Sequence, residues 1–460
     1  MLLPLLFSAL AGASLAHQHS AQQRARPSLA GWRTHAEVVA RNAALSQAPL
    51  VDAPDASVRL ALALASVAPG SPAHPGVVLV NASWSTAFAA TAGDALTLHC
   101  AGSADLGDYF DVPAPAGWVL LPLLHNIGCS FEVRYARGMR AVVAAAPAPS
   151  LGADSDPVGT RLAFGDGAGD MQLTFGSMDS TAAAYVAVGT SAGGPYPLNF
   201  SCAPPYTYRA EELCHAPANQ TGILSYLFPG FFHTCALALA PGTRYYAVYG
   251  HVGGAPAPET SFRTRRLPAP DAATRIAAFG DSALYPVFPG TVTTVDMILA
   301  LDADEGEIDA VAVIGDLAYA EGSTALWTLW QAFMFPMASR LAMQVTVGNH
   351  ETNVLQCYSA SPVAQQGNWP GPTASNIYGD DSGGEGGLAT FARYRAPSNG
   401  QGVLWYSFEA GNVHFTIFSS EHSYLPGSPQ RAFLEADLQA VNRSATPWLI
   451  VCVAPGALAG

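Results

Sequence analysis

Three stretches of this 460-residue chain decide the predicted fold: IAAFGD (276–281), AVAVIGDLAY (310–319) and MQVTVGNHE (343–351). In each stretch a short, mainly apolar run precedes a glycine, which is followed by Asp281, Asp316 or Asn349. Short, continuous apolar runs are typical of parallel strands that are buried on both faces. Helix-like stretches separate them at 291–304 and 323–341, and this alternation of strand and helix predicts βαβ units.

The polar residues that end these runs are expected to lie side by side. Asp281 and Asp316 are 35 residues apart, and Asp316 and Asn349 are 33 apart, each close to the roughly 30 residues of one βαβ unit. Open α/β sheets bind ligands at the carboxyl ends of their strands. Tyr319 and His350 add a phenol and an imidazole to the same edge.

This set of side chains predicts a metal site. Two carboxylates directed at one point repel each other unless a cation neutralises them, and a carboxylate shared by two cations can hold a two-metal site for phosphoester hydrolysis. A tyrosine ligand favours a hard, highly charged ion such as Fe(III), whereas Asn and His suit a divalent ion. A single Gly-Asp pair is usually a turn, and we interpret Gly165-Asp166 in this way.

The N-terminal half of the chain has the pattern of β-sandwich domains. Short β-like runs joined by Gly, Pro and Asn occur at 76–149 and again at 155–267, ahead of the α/β domain at 272–460. The Ala-, Pro- and Ser-rich segment 17–75 is predicted to be peripheral and loosely ordered. The predicted fold class is therefore β plus α/β.

Composition and a targeting signal indicate a secreted globular protein. Charged residues make up 12% of the chain, about half the usual ~25%, and the net charge of -14 argues against nucleic-acid binding. No later apolar run reaches the roughly 18–20 residues of a membrane span. Residues 1–16 have the pattern of a signal peptide, with a buried N-terminal helix as the alternative.

Sequons and cysteines support the secreted interpretation. Four Asn-x-Ser/Thr motifs predict N-glycosylation at Asn81, Asn199, Asn219 and Asn442. None of the seven cysteines has C-x-x-C spacing, so disulfides are favoured over zinc binding. Because seven is odd, at least one thiol has no intrachain partner, and the connectivity stays open.

With these motifs the chain resembles the purple acid phosphatases of the metallophosphoesterase superfamily, in their larger plant-type form. The family's G-D-x-x-Y and G-N-H-[DE] blocks match GDLAY (315–319) and GNHE (348–351). Its G-D-x-G block matches FGDSA (279–283) except for the final alanine. The resemblance implies that 155–267 is a fibronectin-III-like domain and that 272–460 is a metallophosphoesterase α/β sandwich.

The resemblance also implies a role for each matched residue. Asp281 and Tyr319 would bind Fe(III), Asp316 would bridge the two ions, and Asn349 would bind a divalent metal (Zn, Mn or Fe). His350 would contact the phosphate of a small phosphate monoester or assist proton transfer. The implied nucleophile is a metal-bound hydroxide, because coordination lowers the pKa of water towards ~7.

Two further ligand blocks of the family, V-x-x-H and G-H-x-H, supply three histidines that this sequence does not match. The first block begins at Val451, but Ala454 stands in the position of the histidine, and Gly460 is the last residue. We interpret His414 and His422 as strand and loop residues, not as replacements. The resemblance thus implies a C-terminally truncated member with an incomplete catalytic sandwich, for which we expect weak or no activity.

Three functions stay open on the sequence alone. The first is a secreted acid phosphatase that acts on phosphate monoesters. The second is an inactive glycoprotein that acts through its β-domains, and the third is a related metallophosphodiesterase or nucleotide phosphatase. Tyr319 argues against the third, because the wider superfamily usually lacks that tyrosine ligand.

Overall fold

The computed structural model describes most of the chain: residues 41, 44–45, 50–65, 77–91, 93–284, 290–304, 308–352 and 381–453. The predicted signal peptide at 1–16 lies outside the described residues, as do the unmatched tail at 454–460 and Cys357. Within the described part, no helix is both long and apolar enough to cross a bilayer.

The first structural unit consists of two β-sheets that share an apolar core. Its strands are β1 (Val51–Asp52), β2 (Arg59–Leu64), β3 (Val77–Ser85), β4 (Ala95–Cys100), β5 (Asp108–Asp111), β6 (Ala116–Leu124), β7 (Phe131–Arg137) and β8 (Ala141–Pro147). One sheet has the order β1-β8-β7-β4-β5 and the other β2-β3-β6. Leu121 of β6 and Val133 of β7 belong to the same buried cluster.

The second unit is also formed by two sheets, whose neighbouring strands are antiparallel. Its strands are β9 (Val158–Phe164), β10 (Met171–Ser177), β11 (Ala184–Gly189), β12 (Leu198–Ser201), β13 (Phe231–Leu237), β14 (Arg244–His251) and β15 (Thr260–Arg263). The sheet orders are β13-β10-β9 and β12-β11-β14-β15. Gly165 donates its N–H to the carbonyl of Asp170 between β9 and β10, which confirms the turn predicted at Gly165-Asp166.

The third unit contains two more sheets and five helices within the described residues. The strands are β16 (Ile276–Phe279), β17 (Ala310–Ile314), β18 (Met343–Thr346), β19 (Tyr406–Ala410), β20 (Val413–Phe418) and β21 (Trp448–Val453). The helices are α1 (Gly290–Asp304), α2 (Thr324–Ala338), α3 (Asn349–Thr352), α4 (Leu388–Arg393) and α5 (Pro429–Ala440). The sheet orders are β16-β17-β18, all parallel, and β19-β20-β21.

The predicted βαβ alternation is confirmed, because α1 connects β16 to β17 and α2 connects β17 to β18. Helix α2 begins after Ser323, whose hydroxyl accepts a hydrogen bond from the N–H of Leu326. Trp327 and Trp330 on this helix are 1% and 0% exposed, which confirms their interpretation as core residues. Strand β17 is buried, but β16 is only partly buried since it lies at the edge of the described sheet.

The structure differs from the sequence prediction near the N-terminus. The segment 17–75 was expected to be loosely ordered, yet β1 pairs with β8 and β2 pairs with β3. Leu60 and Leu62 alternate along β2 and pack against the core, so an alternating strand pattern is present within the Ala-rich composition. The predicted mixture of β-sheets and an α/β unit is confirmed, whereas the exact domain boundaries stay predictions.

Each of the two β-rich units contains a disulfide bond, as expected. Cys100 pairs with Cys129 across the first unit, and Cys202 pairs with Cys235 in the second. Cys214 is also disulfide-bonded. The thiol of Cys452 is free and buried in β21, in agreement with the odd cysteine count.

Two buried histidines make the stability of the fold depend on pH. Burial lowers the pKa of His99 and of His233 to about 4, from an ordinary value of 6.5. Between these pH values the two imidazoles bind protons in the unfolded chain but not in the folded chain, so their contribution to the free energy of unfolding falls as the pH decreases from about 6.5 to about 4.

We expect each imidazole to contribute roughly 1–3 kcal/mol to this fall. Urea unfolding at a series of pH values measures it. The substitution His233→Gln should remove a large part of the pH dependence, because glutamine does not titrate. An identical pH dependence in the wild type and the variant would contradict the prediction.

Candidate metal centre

The three polar residues that follow the parallel strands lie at one edge of the sheet, as predicted. Three residues at this edge have an unusual backbone conformation: φ is 52° at Asp281, 47° at Asp316 and 47° at Tyr319. Left-handed backbone conformations cost non-glycine residues of order 1–3 kcal/mol each and concentrate at functional sites. Gly315 has a φ of 80° and allows β17 to turn sharply into Asp316.

The oxygen atoms of two carboxylates and one phenol converge. The Oη of Tyr319 donates to Oδ1 of Asp281 over 2.7 Å and contacts Oδ2 of Asp316 at 3.3 Å. The other oxygen of Asp316, Oδ1, accepts the backbone N–H of His350 over 3.1 Å. Asp316 therefore stands between the Asp281–Tyr319 pair and the loop that carries Asn349 and His350.

The electrostatics of this cluster favour a cation. Burial raises the pKa of Asp316, and the nearby negative charge of Asp281 raises it further, while His350 opposes the shift. The pKa of Tyr319 is raised by burial and by its hydrogen bond to Asp281. A positive ion among these oxygens would relieve the repulsion and stabilise the ionised forms.

Asn349 and His350 occupy the other side of Asp316. The amide nitrogen of Asn349 donates to Oδ2 of Asp381 over 2.9 Å, so the amide oxygen is the atom left to act as a ligand. The ring of His350 packs against that of Tyr319 in a tilted arrangement, with 4.0 Å between centroids and 39° between the ring planes. Its Nδ1 is buried without a hydrogen bond among the described residues and lies 3.6 Å from Oε1 of Glu321.

The buried carboxylate of Glu351 connects the loops of the site. No role was predicted for it. Glu351 is 1% exposed and accepts three backbone hydrogen bonds, from Asp316, Leu317 and Gly348, over 2.8–2.9 Å. Burial raises its pKa, and the charge of Asp316 adds to the effect. Glu351 can be recognised in the sequence as part of the GNHE motif, but its contacts with the β17 loop cannot.

The loop after β16 is tied to the loop after β17 and to α2. The N–H of Ser282 donates to the carbonyl of Asp316 over 2.9 Å, and its hydroxyl donates to the carbonyl of Leu317 over 2.9 Å. The indole of Trp330 donates to the carbonyl of Ser282 over 2.8 Å. These contacts hold Asp281 beside Asp316 although its own side chain is exposed.

The side chains fit a hard cation on one side of the site. The phenol oxygen of Tyr319 lies 2.7 Å from an oxygen of Asp281 and 3.3 Å from an oxygen of Asp316, and such oxygen donors are the type that Fe(III) prefers. For a second ion the described residues supply Asp316 and Asn349. Among the described residues, no group of three or more His, Cys, Asp and Glu side chains is arranged to hold a metal.

The two remaining candidate histidines have other contacts. His414 lies in β20 and its Nε2 is 3.1 Å from Oδ2 of Asp437. His422 is buried in the loop after β20, and its Nδ1 is 2.8 Å from Oγ of Ser419. These contacts agree with their interpretation as strand and loop residues.

The predicted glycosylation sites differ in exposure. Asn199, Asn219 and Asn442 are exposed. Asn81 lies in β3, and its Oδ1 is buried with no hydrogen-bond partner in the part of the chain that the structure describes. Modification of all four stays a prediction, and Asn81 is the least accessible of them.

The chain is similar to curated proteins in sequence and to a solved structure in fold. No family model matches the chain. It is 32% identical over 308 residues to "Probable inactive purple acid phosphatase 24" of Arabidopsis thaliana, covering 64% of this chain and 46% of that protein. It is 30% identical over 199 residues to a "Nucleotide pyrophosphatase/phosphodiesterase" of Hordeum vulgare, covering 41% of this chain and 49% of that protein. The chain thus spans about half the length of the curated relatives it matches.

The fold is that of a solved plant enzyme. The structure of purple acid phosphatase PPD1 from yellow lupin seeds matches with a TM-score of 0.68 and 23% identity, covering 86% of this chain and 72% of that chain. The resemblance that GDLAY and GNHE predict is therefore confirmed. The chain is a homologue of the purple acid phosphatases and has their fold.

Proposed function

We propose that this chain provides the phosphate-ester hydrolysis site of a secreted purple acid phosphatase, with phosphate monoesters as substrates and Fe(III) and a divalent ion (Zn, Mn or Fe) as cofactors. The observation that carries the proposal is the convergence of the Tyr319 phenol on the carboxylates of Asp281 and Asp316. The homology to purple acid phosphatases supports it. We also propose that the second unit is fibronectin-III-like.

Each side chain of the cluster would have a separate task. Asp281, Tyr319 and Asp316 would hold Fe(III), and Asp316 and Asn349 would hold the divalent ion. Bound metals supply positive charge for the phosphate and lower the pKa of water. His350 would contact the phosphate and hold a proton at Nδ1, near the Glu321 carboxylate.

Iron loading tests the proposed iron ligands. We expect Fe(III) to give the wild-type protein a visible tyrosinate absorption band and Tyr319→Phe to abolish it, because phenylalanine has no oxygen to coordinate iron. The matched control is Tyr196→Phe in the second unit, since the Tyr196 hydroxyl also donates to a carboxylate, that of Glu259. The proposal fails if the wild type stays colourless with iron bound, or if Tyr319→Phe keeps the band.

Two alternatives have specific support. A relative named "probable inactive" favours an inactive glycoprotein that acts through its β-domains. The barley relative named as a phosphodiesterase favours diester substrates. Metal content by elemental analysis, with a panel of phosphate monoesters and diesters, distinguishes the three. Turnover of monoesters only, with near two metals per chain, supports the proposed function.

A further inference from the structure

A small cavity lies where the three structural units meet, and none of the proposed metal ligands lines it. Its volume is about 20 Å³, and a single water-sized guest needs roughly 10–15 Å³. Its walls include Asn126 of the first unit, Arg161 of β9, Gln331 of α2 and Arg393 of α4. A guest in this cavity would therefore contact all three units.

Two buried guanidinium groups border the cavity. Arg161 is 4% exposed and Arg393 is 1% exposed. The Nε of Arg161 donates to the carbonyl of Arg393, and its Nη1 donates to the carbonyl of Gly159 over 2.6 Å. These partners are neutral, and of the described residues that line the cavity none is Asp or Glu.

The positive charge of Arg161 therefore needs compensation. Burial lowers its pKa to about 9, and the charges of Arg395 and Arg393 contribute to the lowering. The guanidinium still carries its charge at neutral pH. A buried charge is costly unless an opposite charge lies beside it.

Three buried polar atoms belong to residues that line the cavity. Nη2 of Arg161, Nε2 of Gln331 and Oδ1 of Asn126 are buried and have no hydrogen-bond partner among the described residues. Oε1 of Gln331 accepts from Nε of Arg393 over 3.3 Å, which orients the amide and leaves Nε2 as a donor. Likewise Nδ2 of Asn126 donates to the carbonyl of Asp156 over 2.6 Å.

We propose that this cavity is a binding site for a monovalent halide ion such as chloride, held by Nη2 of Arg161 and Nε2 of Gln331. A water molecule would satisfy the hydrogen bonds, but a halide ion also neutralises the guanidinium charge. Oδ1 of Asn126 opposes an anion, but its partial charge is small beside a full positive charge. The ion would join β9 to α2 and α4. This site is independent of the proposed function.

Halide-dependent stability tests the site in the full chain. At constant ionic strength, the midpoint of thermal unfolding should rise saturably when gluconate is replaced by chloride or bromide, because a ligand that binds the folded state stabilises it. Diffraction from crystals soaked in bromide should show an anomalous peak in the cavity. The proposal is overturned if the midpoint is the same in all three salts, or if the cavity holds only water.

Substitution of Gln331 provides a second test. Gln331→Glu places a carboxylate beside Arg161, so the variant should unfold at the same or a higher temperature without halide and should lose the response to chloride. Gln331→Leu should weaken the response. The control Gln172→Glu introduces the same charge at a half-buried site that does not line the cavity, and should keep the response. A full chloride response in Gln331→Glu would contradict the proposal.

Discussion

Replacing Glu351 by alanine is expected to lower the free energy of unfolding by about 3–5 kcal/mol, one of the largest effects available in this chain. The substitution leaves three buried N–H groups, those of Asp316, Leu317 and Gly348, without an acceptor. It also releases the loops after β17 and β18 from one another. Urea unfolding followed by tryptophan fluorescence measures the loss, and iron titration should show a parallel loss of affinity.

Two further variants define what Glu351 contributes. Glu351→Gln keeps one acceptor oxygen at the same place, so it should retain part of the stability. Glu435→Ala is the matched control: this exposed glutamate forms an ion pair with Arg431 one helical turn away, and its loss should cost less than about 1 kcal/mol. If Glu351→Ala is as stable as Glu435→Ala, Glu351 does not hold the two loops together.

The second large effect is expected for Gly348→Ala. A Cβ atom at this position would lie 2.2 Å from Oδ1 of Asp316 and 2.8 Å from its backbone nitrogen. Asp316 must therefore shift from its present position, which disturbs its contact with Tyr319. We expect the affinity for Fe(III) to fall at least about tenfold, which corresponds to about 1.4 kcal/mol. Iron titration followed by the visible absorption band measures the change.

Gly290→Ala provides the control for this glycine substitution. Gly290 is the first residue of α1, and an added Cβ would have no heavy atom of the other described residues outside its own helix and chain neighbours within 4 Å. The change should leave iron affinity unaltered and should be neutral or stabilising by roughly 0.4–1 kcal/mol. Wild-type iron affinity in Gly348→Ala would show that Asp316 is not a ligand, or that the β18 loop can shift without cost.

Much of the candidate site could be predicted because its residues follow regular elements of the chain. Asp281, Asp316 and Asn349 each come directly after a strand, and parallel strands joined by helices bring their carboxyl ends to one edge. The buried faces of α2 could also be predicted, since Trp327 and Trp330 have helical spacing. These features depend on local periodicity, which a single sequence contains.

Other parts of the site could not be predicted, because they depend on contacts between distant residues. Asp381 supports the Asn349 amide across 32 positions. The role of Glu351 depends on N–H groups more than 30 positions away in the β17 loop. The strand at 59–64 was not predicted, because its composition is rich in Ala. Its pairing with β3 identifies it as a strand.

The amino-acid sequence by itself determined the order of strands, glycines and polar residues in the α/β unit, and with it the chemical class of the site, because these follow from hydrophobic pattern and residue type. Only the tertiary structure decided which atoms meet. Tyr319 reaches Asp281, 38 positions away, and Arg161 reaches the carbonyl of Arg393, 232 positions away. Such pairs leave no local pattern in the chain, since three-dimensional packing alone brings them within hydrogen-bond distance.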